Sequence, residues 1–325
     1  MILINFRNNN LIAQFLWILI VFIALLFYPV ELSPASEYSV LYGPLVNFLS
    51  DNYILTKILS YFSILLSALF VNFLMRRFEL LPRMNFLPML LFLMLTGAFP
   101  NLLYFNPLSI SNLFILSGFY YLFRVNEEEF SYTSVFSSSF LFSIASLFYF
   151  PFIAFFIVLP FIYIIFRIFK GREIIISTIA FVIPWMFVAV IYYVQDVLGI
   201  RVREFLNVFT NFSIPALKSF SVKDIILAAF FVFIALIVAF RVLLKAYEQL
   251  IQVRILTSFT VFYLVFTSIL IGLAGKYFLI HPLLILFPLT VVFASFLKNQ
   301  KSTFYLDILL FLIIAGIYVN AIVYV

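Results

Sequence analysis

The sequence predicts an all-α, polytopic integral membrane protein of about eleven spans, and three observations carry that prediction. Of 325 residues, 66% are hydrophobic and 10% charged, against roughly 45–50% and about 25% in an ordinary soluble domain. Phe alone accounts for 47 positions and Tyr for 19. The apolar residues also fall in long runs, most of them close to the roughly 20 residues that a membrane helix needs. In water such a chain would expose far more apolar surface than a monomer tolerates. A soluble enzyme, a disordered chain and a nucleic-acid-binding module are therefore excluded, and no nucleic-acid partner is expected.

Each span follows from a run and its breakers. The first is 11–30; at about 20 residues it exceeds the 7–15 or so of a signal-peptide core, so it reads as an uncleaved span. A loop over 31–52 carries Glu31, Glu37 and Asp51. The second span, 53–75, ends in Arg76-Arg77. The third is 86–104, broken by Pro100, and the fourth is 107–123, closed by Arg124 and Glu127-Glu128-Glu129. The fifth and sixth, 133–149 and 151–168, turn tightly at Tyr149-Phe150-Pro151. The seventh is 174–195 and contains Pro184. A longer loop, 196–223, precedes the eighth span at 224–243. The ninth is 254–273, the tenth 277–297 with His281, Pro282 and Pro288, and the eleventh 303–323. Nothing marks a second domain, so residues 1–325 read as one transmembrane domain with outer loops 31–52 and 196–223.

Orientation follows from the basic residues, which collect on the cytoplasmic side. With the N-terminus inside, the outer segments hold Lys57, Arg201, Arg203, Lys218, Lys223 and Lys276, and the other 13 of the 19 Lys and Arg lie inside. That bias gives an N-in, C-out chain. The chain has no cysteine and one histidine, His281, which removes thiolate chemistry and His-rich metal sites.

The spans are almost free of ionisable groups; only Lys57, His281 and Asp307 reach their edges. Pumps and ion channels usually bury such groups at mid-depth, so those activities are disfavoured. A secondary transporter built on broken helices would use Pro100, Pro160, Pro184, Pro282 or Pro288, although membrane helices tolerate proline without breaking.

The polar candidates lie on the outer face. In the first loop the apolar residues at 40, 41, 45, 48 and 49 keep roughly helical spacing, so the segment reads as an interfacial helix presenting Glu37 and Tyr38. Glu37 is the candidate base or metal-binding acid and Glu31 a weaker one, against the common case of a solvated loop carboxylate. In the second loop the apolar positions 202, 205, 206, 209 and 212 share a face, with Arg201 and Arg203 able to hold a phosphate in fork-like bonds. The tenth span opens Gly275-Lys276-Tyr277-Phe278-Leu279-Ile280-His281-Pro282. Lys276 is a further candidate phosphate ligand, with Tyr277 and His281 lining the same cavity, against the commoner cases of interfacial anchoring for Lys276 and Tyr277 and of a packed, hydrogen-bonded His281.

This layout resembles the GT-C superfamily of membrane glycosyltransferases that use polyprenyl-phosphate sugars. Glu37-Tyr38, after the first span, is similar to the position of that family's catalytic acid. The stretch from Ser138 to Ala154 is similar to its small-residue span and tight turn, and Lys276 to Pro288 to its late span with a basic-Tyr pair and two prolines. The resemblance implies a GT-C-like arrangement, with a lipid-linked sugar handled at the outer leaflet and a divalent metal as the candidate cofactor. The chain departs from the family in lacking an acidic pair in the first loop, and Asn101, Asn106, Ser109 and Ser111 stand where a second acid is often found. A degenerate, non-catalytic relative or a membrane-protein subunit of a cell-envelope complex is the alternative expectation. The chain also resembles Phe-rich multipass inner-membrane proteins of Bacteroidota.

Overall fold

A computed structural model describes residues 2–27, 40–49, 52–82, 85–98, 103, 105–125, 131–210, 235–273, 282–298, 300 and 304–324. Among these residues the chain is all helical, with no strand. The helices are α1 (Ile2–Arg7), α2 (Leu11–Leu26), α3 (Tyr42–Leu49), α4 (Tyr53–Arg77), α5 (Leu87–Ala98), α6 (Pro107–Arg124) and α7 (Tyr132–Phe148). A 3₁₀ turn, Phe150–Ala154, leads into α8 (Phe155–Ile165), then α9 (Gly171–Val194) and α10 (Leu198–Thr210). Helix α11 covers 235–246, followed by α12 (Ile251–Leu273), α13 (Pro282–Lys298) and α14 (Phe304–Tyr324). Three are long and apolar enough to cross a membrane by length and composition: Tyr53–Arg77, Gly171–Val194 and Ile251–Ile269. The other apolar helices are shorter; the 16 residues of α2 rise about 24 Å at 1.5 Å each, against a hydrocarbon core of about 30 Å.

The helix termini follow local chemistry. Asn10 caps α2 by accepting from Ala13 N. Asn106 and Ser109 form a reciprocal capping box at α6, with Pro107 at its first position, where the missing N–H costs nothing. Arg76 and Arg77 close α4 and Arg124 closes α6, each against the negative end of its helix dipole. Pro160, Pro184 and Pro288 all lie within continuous helices, so none of them supplies the interrupted span that a broken-helix transporter site would use.

Helices α6, α7 and α9 are the most closely packed set, and α5 is flanked by α2, α4, α13 and α14. The centre of the bundle is aromatic. Phe119 on α6 meets Phe142 of α7 at 5.6 Å between ring centroids, Phe259 and Tyr263 of α12 at 5.1 and 4.9 Å, and Phe287 of α13 at 5.0 Å. Rings in such offset or edge-on pairs contribute about 0.5–1.5 kcal/mol each beyond area burial.

The faces of α9 show what solvent the bundle is built for. Glu173, Ser177, Ala180 and Phe181 are buried, whereas Ile175, Ile179, Val182, Met186 and Val190 are exposed. A helix in water turns its polar stripe outward. Here small and polar groups pack against neighbours while bulky aliphatic ones face out, the arrangement selected by lipid, where helix association rests on close packing and hydrogen bonds. The protein is membrane-embedded.

Ahead of the first span, residues 2–7 form α1, and Ile2, Leu3 and Phe6 enter the core. Its anchor is a distant side chain, Asp307.

Candidate functional site

Many of the buried polar side chains of the described residues gather at two ends and along a seam, and Asn112 Nδ2 of α6 separately donates to Ser67 Oγ of α4 at 3.2 Å. At one end, Asp307 Oδ1 at the start of α14 accepts from Leu3 N at 2.6 Å. Gln14 Oε1 accepts from Phe86 N at 3.0 Å, Asn85 Nδ2 donates to Phe6 O at 3.4 Å, and Lys298 Nζ donates to Leu80 O at 3.2 Å. At the opposite end, Tyr42 OH of α3 donates to Phe105 O at 2.8 Å and Leu41 N donates to Leu147 O at 3.2 Å. Thr56 Oγ1 donates to Leu49 O at 3.2 Å, and Ser60 Oγ donates to Leu103 O. The first group gathers 3–14, 80–86 and 298–307; the second gathers 41–56, 103–105 and 147.

The seam joins α7 to α9. Ser131 Oγ donates to Glu173 Oε1 at 3.2 Å. Ser139, Ser177 and Tyr163 of α8 form a triangle of hydroxyls with each pair 2.9 Å apart. Ser143 Oγ donates to Phe181 O at 2.5 Å, one turn before Pro184, whose absent N–H weakens the helix ladder there. Trp185 Nε1 donates to Ser146 Oγ at 3.0 Å. The partners advance together along both chains, so α7 and α9 run side by side in the same direction. From Glu173 to Trp185 the seam covers about 18 Å of helix at about 1.5 Å per residue.

Glu173 is the unusual member. It is 3% exposed, and its Oε2 has no hydrogen-bond partner. A span beginning at 174 leaves it among the loop charges; the structure instead starts α9 at Gly171 and turns Glu173 inward. Its position in the first turn of α9 sets it beside the positive end of the helix dipole. Arg172 turns the other way, donating from Nη1 to Tyr132 OH at 3.1 Å with its guanidinium carbon 3.9 Å from the ring centre. Serines in a sequence this apolar are the signal that could have exposed the seam. Ser134, Ser138, Ser139, Ser143 and Ser146 are all buried on α7, and buried hydroxyls need partners on a neighbour.

Chemically, the seam is a chain of neutral hydroxyls that fixes the register of two helices. It contains no nucleophile–base–orienter constellation. Among the described residues, no three His, Asp or Glu side chains come together.

Of the outer-face candidates, Arg201 and Arg203 are described. Both are exposed on α10, next to the C-terminal end of α9, where the Arg201 guanidinium carbon stands 5.8 Å from the Tyr192 ring centre. Arg201 Nη1 also donates to Glu204 Oε2 at 2.8 Å in a half-exposed ion pair. Helix α3 occupies the stretch where the first loop was expected to carry an interfacial helix, and Tyr42 and Leu49 bury its inner face. Glu31, Glu37, Tyr38, Lys276, Tyr277 and His281 lie outside the described residues, so their distances to Arg201 and Arg203 are not part of the geometry. The chain matches no protein-family model, no curated protein and no solved structure.

Proposed function

We propose that the protein sits in a bacterial inner membrane with its N-terminus inside, crosses it about eleven times, and engages a polyprenyl-phosphate-linked sugar at the outer leaflet. The observation that supports this reading most is α10. It is a helix with Arg201 and Arg203 exposed near its start, and it lies at the end of α9 that shares a bundle end with α3. Two arginines at that level suit a lipid phosphate, since each guanidinium offers forked donors. In this reading Arg201 exchanges its Glu204 partner for the phosphate, Lys276 supplies a further charge, and Glu37, with Glu31 behind it, acts as the acid near the reacting sugar. Tyr38, Tyr277 and His281 line the cavity. The resemblance to GT-C enzymes supports glycosyl transfer as the reaction class.

The test uses the full chain in nanodiscs, titrated with polyprenyl monophosphate and followed by native mass spectrometry. Saturable binding that weakens tenfold or more in Arg201→Gln/Arg203→Gln is expected. Undiminished binding by the double variant would overturn the assignment.

One observation favours a second reading, a non-catalytic scaffold subunit of an envelope complex. The described interior is aromatic, with a hydroxyl seam that holds helices in register, as a structural bundle requires. On that reading Glu37→Gln leaves cellular function intact.

A further inference from the structure

The end of the bundle opposite α10 carries a groove that none of the outer-face chemistry uses. It encloses about 590 Å³ and is lined by Leu69, Asn72, Phe73, Arg76 and Arg77 of α4, with Glu79 and Phe86 from the following turn. That volume lies within the roughly 300–1,000 Å³ of ordinary ligand sites. Residues 69, 72, 73 and 76 share one face of α4 by the i, i+3, i+4 rule, so the groove runs along the helix from its basic end toward the middle of the membrane. We propose that it binds the phosphate of an anionic phospholipid of the inner leaflet, with one acyl chain laid along Leu69 and Phe73.

Three features give the site its chemistry. The first is a positioned charge. The Arg76 guanidinium carbon lies 4.9 Å from the Phe86 ring centre and that of Arg77 5.4 Å from Phe78. Each ring face stabilises its cation and holds the fork at the groove. Arg124, closing α6, stands 5.7 Å from the Tyr120 ring, which itself meets Phe73 at 5.8 Å. Among the described residues, Arg76, Arg77 and Glu79 line the groove, and Arg124 adjoins it through Tyr120 and Phe73. The second is Asn72, one turn deeper than Arg76. It is 3% exposed and its Oδ1 has no hydrogen-bond partner. An amide oxygen buried without a donor is costly, and it sets an unmet polar group between the basic mouth and the apolar wall. The third is the wall. Leu69 and Phe73 are 42% and 46% exposed and offer a hydrocarbon surface continuous with the basic mouth. Basic pockets between spans on the cytoplasmic side bind acidic headgroups, and the basic bias of the sequence puts this end inside.

A phosphate could also arrive free or on a soluble metabolite, so the test separates sources. The full chain is placed in nanodiscs of phosphatidylcholine with added phosphatidylglycerol, and bound lipid is counted by native mass spectrometry. Wild type should retain phosphatidylglycerol over phosphatidylcholine, and Arg76→Gln/Arg77→Gln should weaken that retention tenfold or more. Arg172→Gln, an exposed charge at the same end, serves as the control. An equal loss in that control would mean general surface attraction and overturn the site. Displacement of the lipid by millimolar inorganic phosphate would assign the groove to a free anion and overturn the lipid. Circular dichroism and the Tyr132 contact of Arg172, which is remote from the groove, report whether the Arg76/Arg77 variant is folded.

Discussion

Substituting Gly118 by alanine should loosen the bundle at its tightest contact. A methyl group built on Gly118 would meet the Phe142 ring at 2.4, 2.8 and 3.0 Å, whereas carbon atoms in favourable contact lie about 3.5–4.0 Å apart. The overlap is therefore about 1 Å. Ring tips often yield to such an intrusion, but this ring has nowhere to go. It is stacked on Phe155 at 4.7 Å and meets the edge of Phe119 at 5.6 Å. Either α6 and α7 separate or Phe142 leaves its rotamer, and overpacking of this kind costs about 1–3 kcal/mol. The helix-propensity gain of alanine over glycine returns at most about 1 kcal/mol, which leaves a net loss of up to about 2 kcal/mol.

Gly316, in α14, is the matched control, because a methyl there meets nothing within 4 Å. Gly316→Ala should be neutral or stabilising by up to about 1 kcal/mol. Unfolding in mixed detergent micelles, followed through the fluorescence of Trp17 and Trp185 and by circular dichroism, measures both. Adding Phe142→Leu to Gly118→Ala removes the ring edge, so the double variant should be more stable than the sum of the single effects by about 0.5–3 kcal/mol. If Gly118→Ala unfolds with the wild-type protein, or the two substitutions are additive, the close approach of α6 and α7 is not what the geometry states.

Two further outcomes follow from the ends of the bundle. Asp307→Leu strips the acceptor from the buried Leu3 amide and should destabilise by about 1–3 kcal/mol; Asp307→Asn keeps an oxygen and should cost less, with hydrogen exchange at the α1 amides as the measurement. Because the sequence contains no cysteine, single reporters need no prior substitution. Arg203→Cys should react with an impermeant maleimide in intact cells and Arg172→Cys only after permeabilisation, and the reverse pattern would invert the proposed orientation.

Much of the helix layout was legible because it depends on local runs of apolar residues. The spans expected at 107–123, 133–149, 174–195 and 303–323 correspond to helices Pro107–Arg124, Tyr132–Phe148, Gly171–Val194 and Phe304–Tyr324. The helical spacing in both outer loops likewise corresponds to α3 and α10. What hydropathy could not convey is how helices pair. The partner of Leu3 is Asp307, across almost the whole chain, and no local pattern announces such a bond. Glu173 was hidden for a related reason. A charged residue one position before an apolar run scores as a loop, yet the helix extends three residues further and its first turn faces α7. The serines of α7 are ordinary in composition and become informative only once α9 supplies their partners. Of the candidate site, only Arg201 and Arg203 can be placed; Glu31, Glu37, Tyr38, Lys276, Tyr277 and His281 fall outside the described residues.

The distribution of polarity limits where activity can reside. Among the described residues, the centre of the bundle is occupied by Phe119 and the rings around it, and its hydroxyls are engaged in the seam. The prolines that could have opened a passage at 160, 184 and 288 sit within unbroken helices. A solute crossing this part of the protein would have to displace stacked rings and break several helix-to-helix hydrogen bonds at once, each worth up to about 1.7 kcal/mol in a membrane protein. The arginines, by contrast, stand at the two ends, where a lipid headgroup can reach them without any helix moving. Arg201 and Arg203 face one end, and Arg76, Arg77 and Arg124 the other.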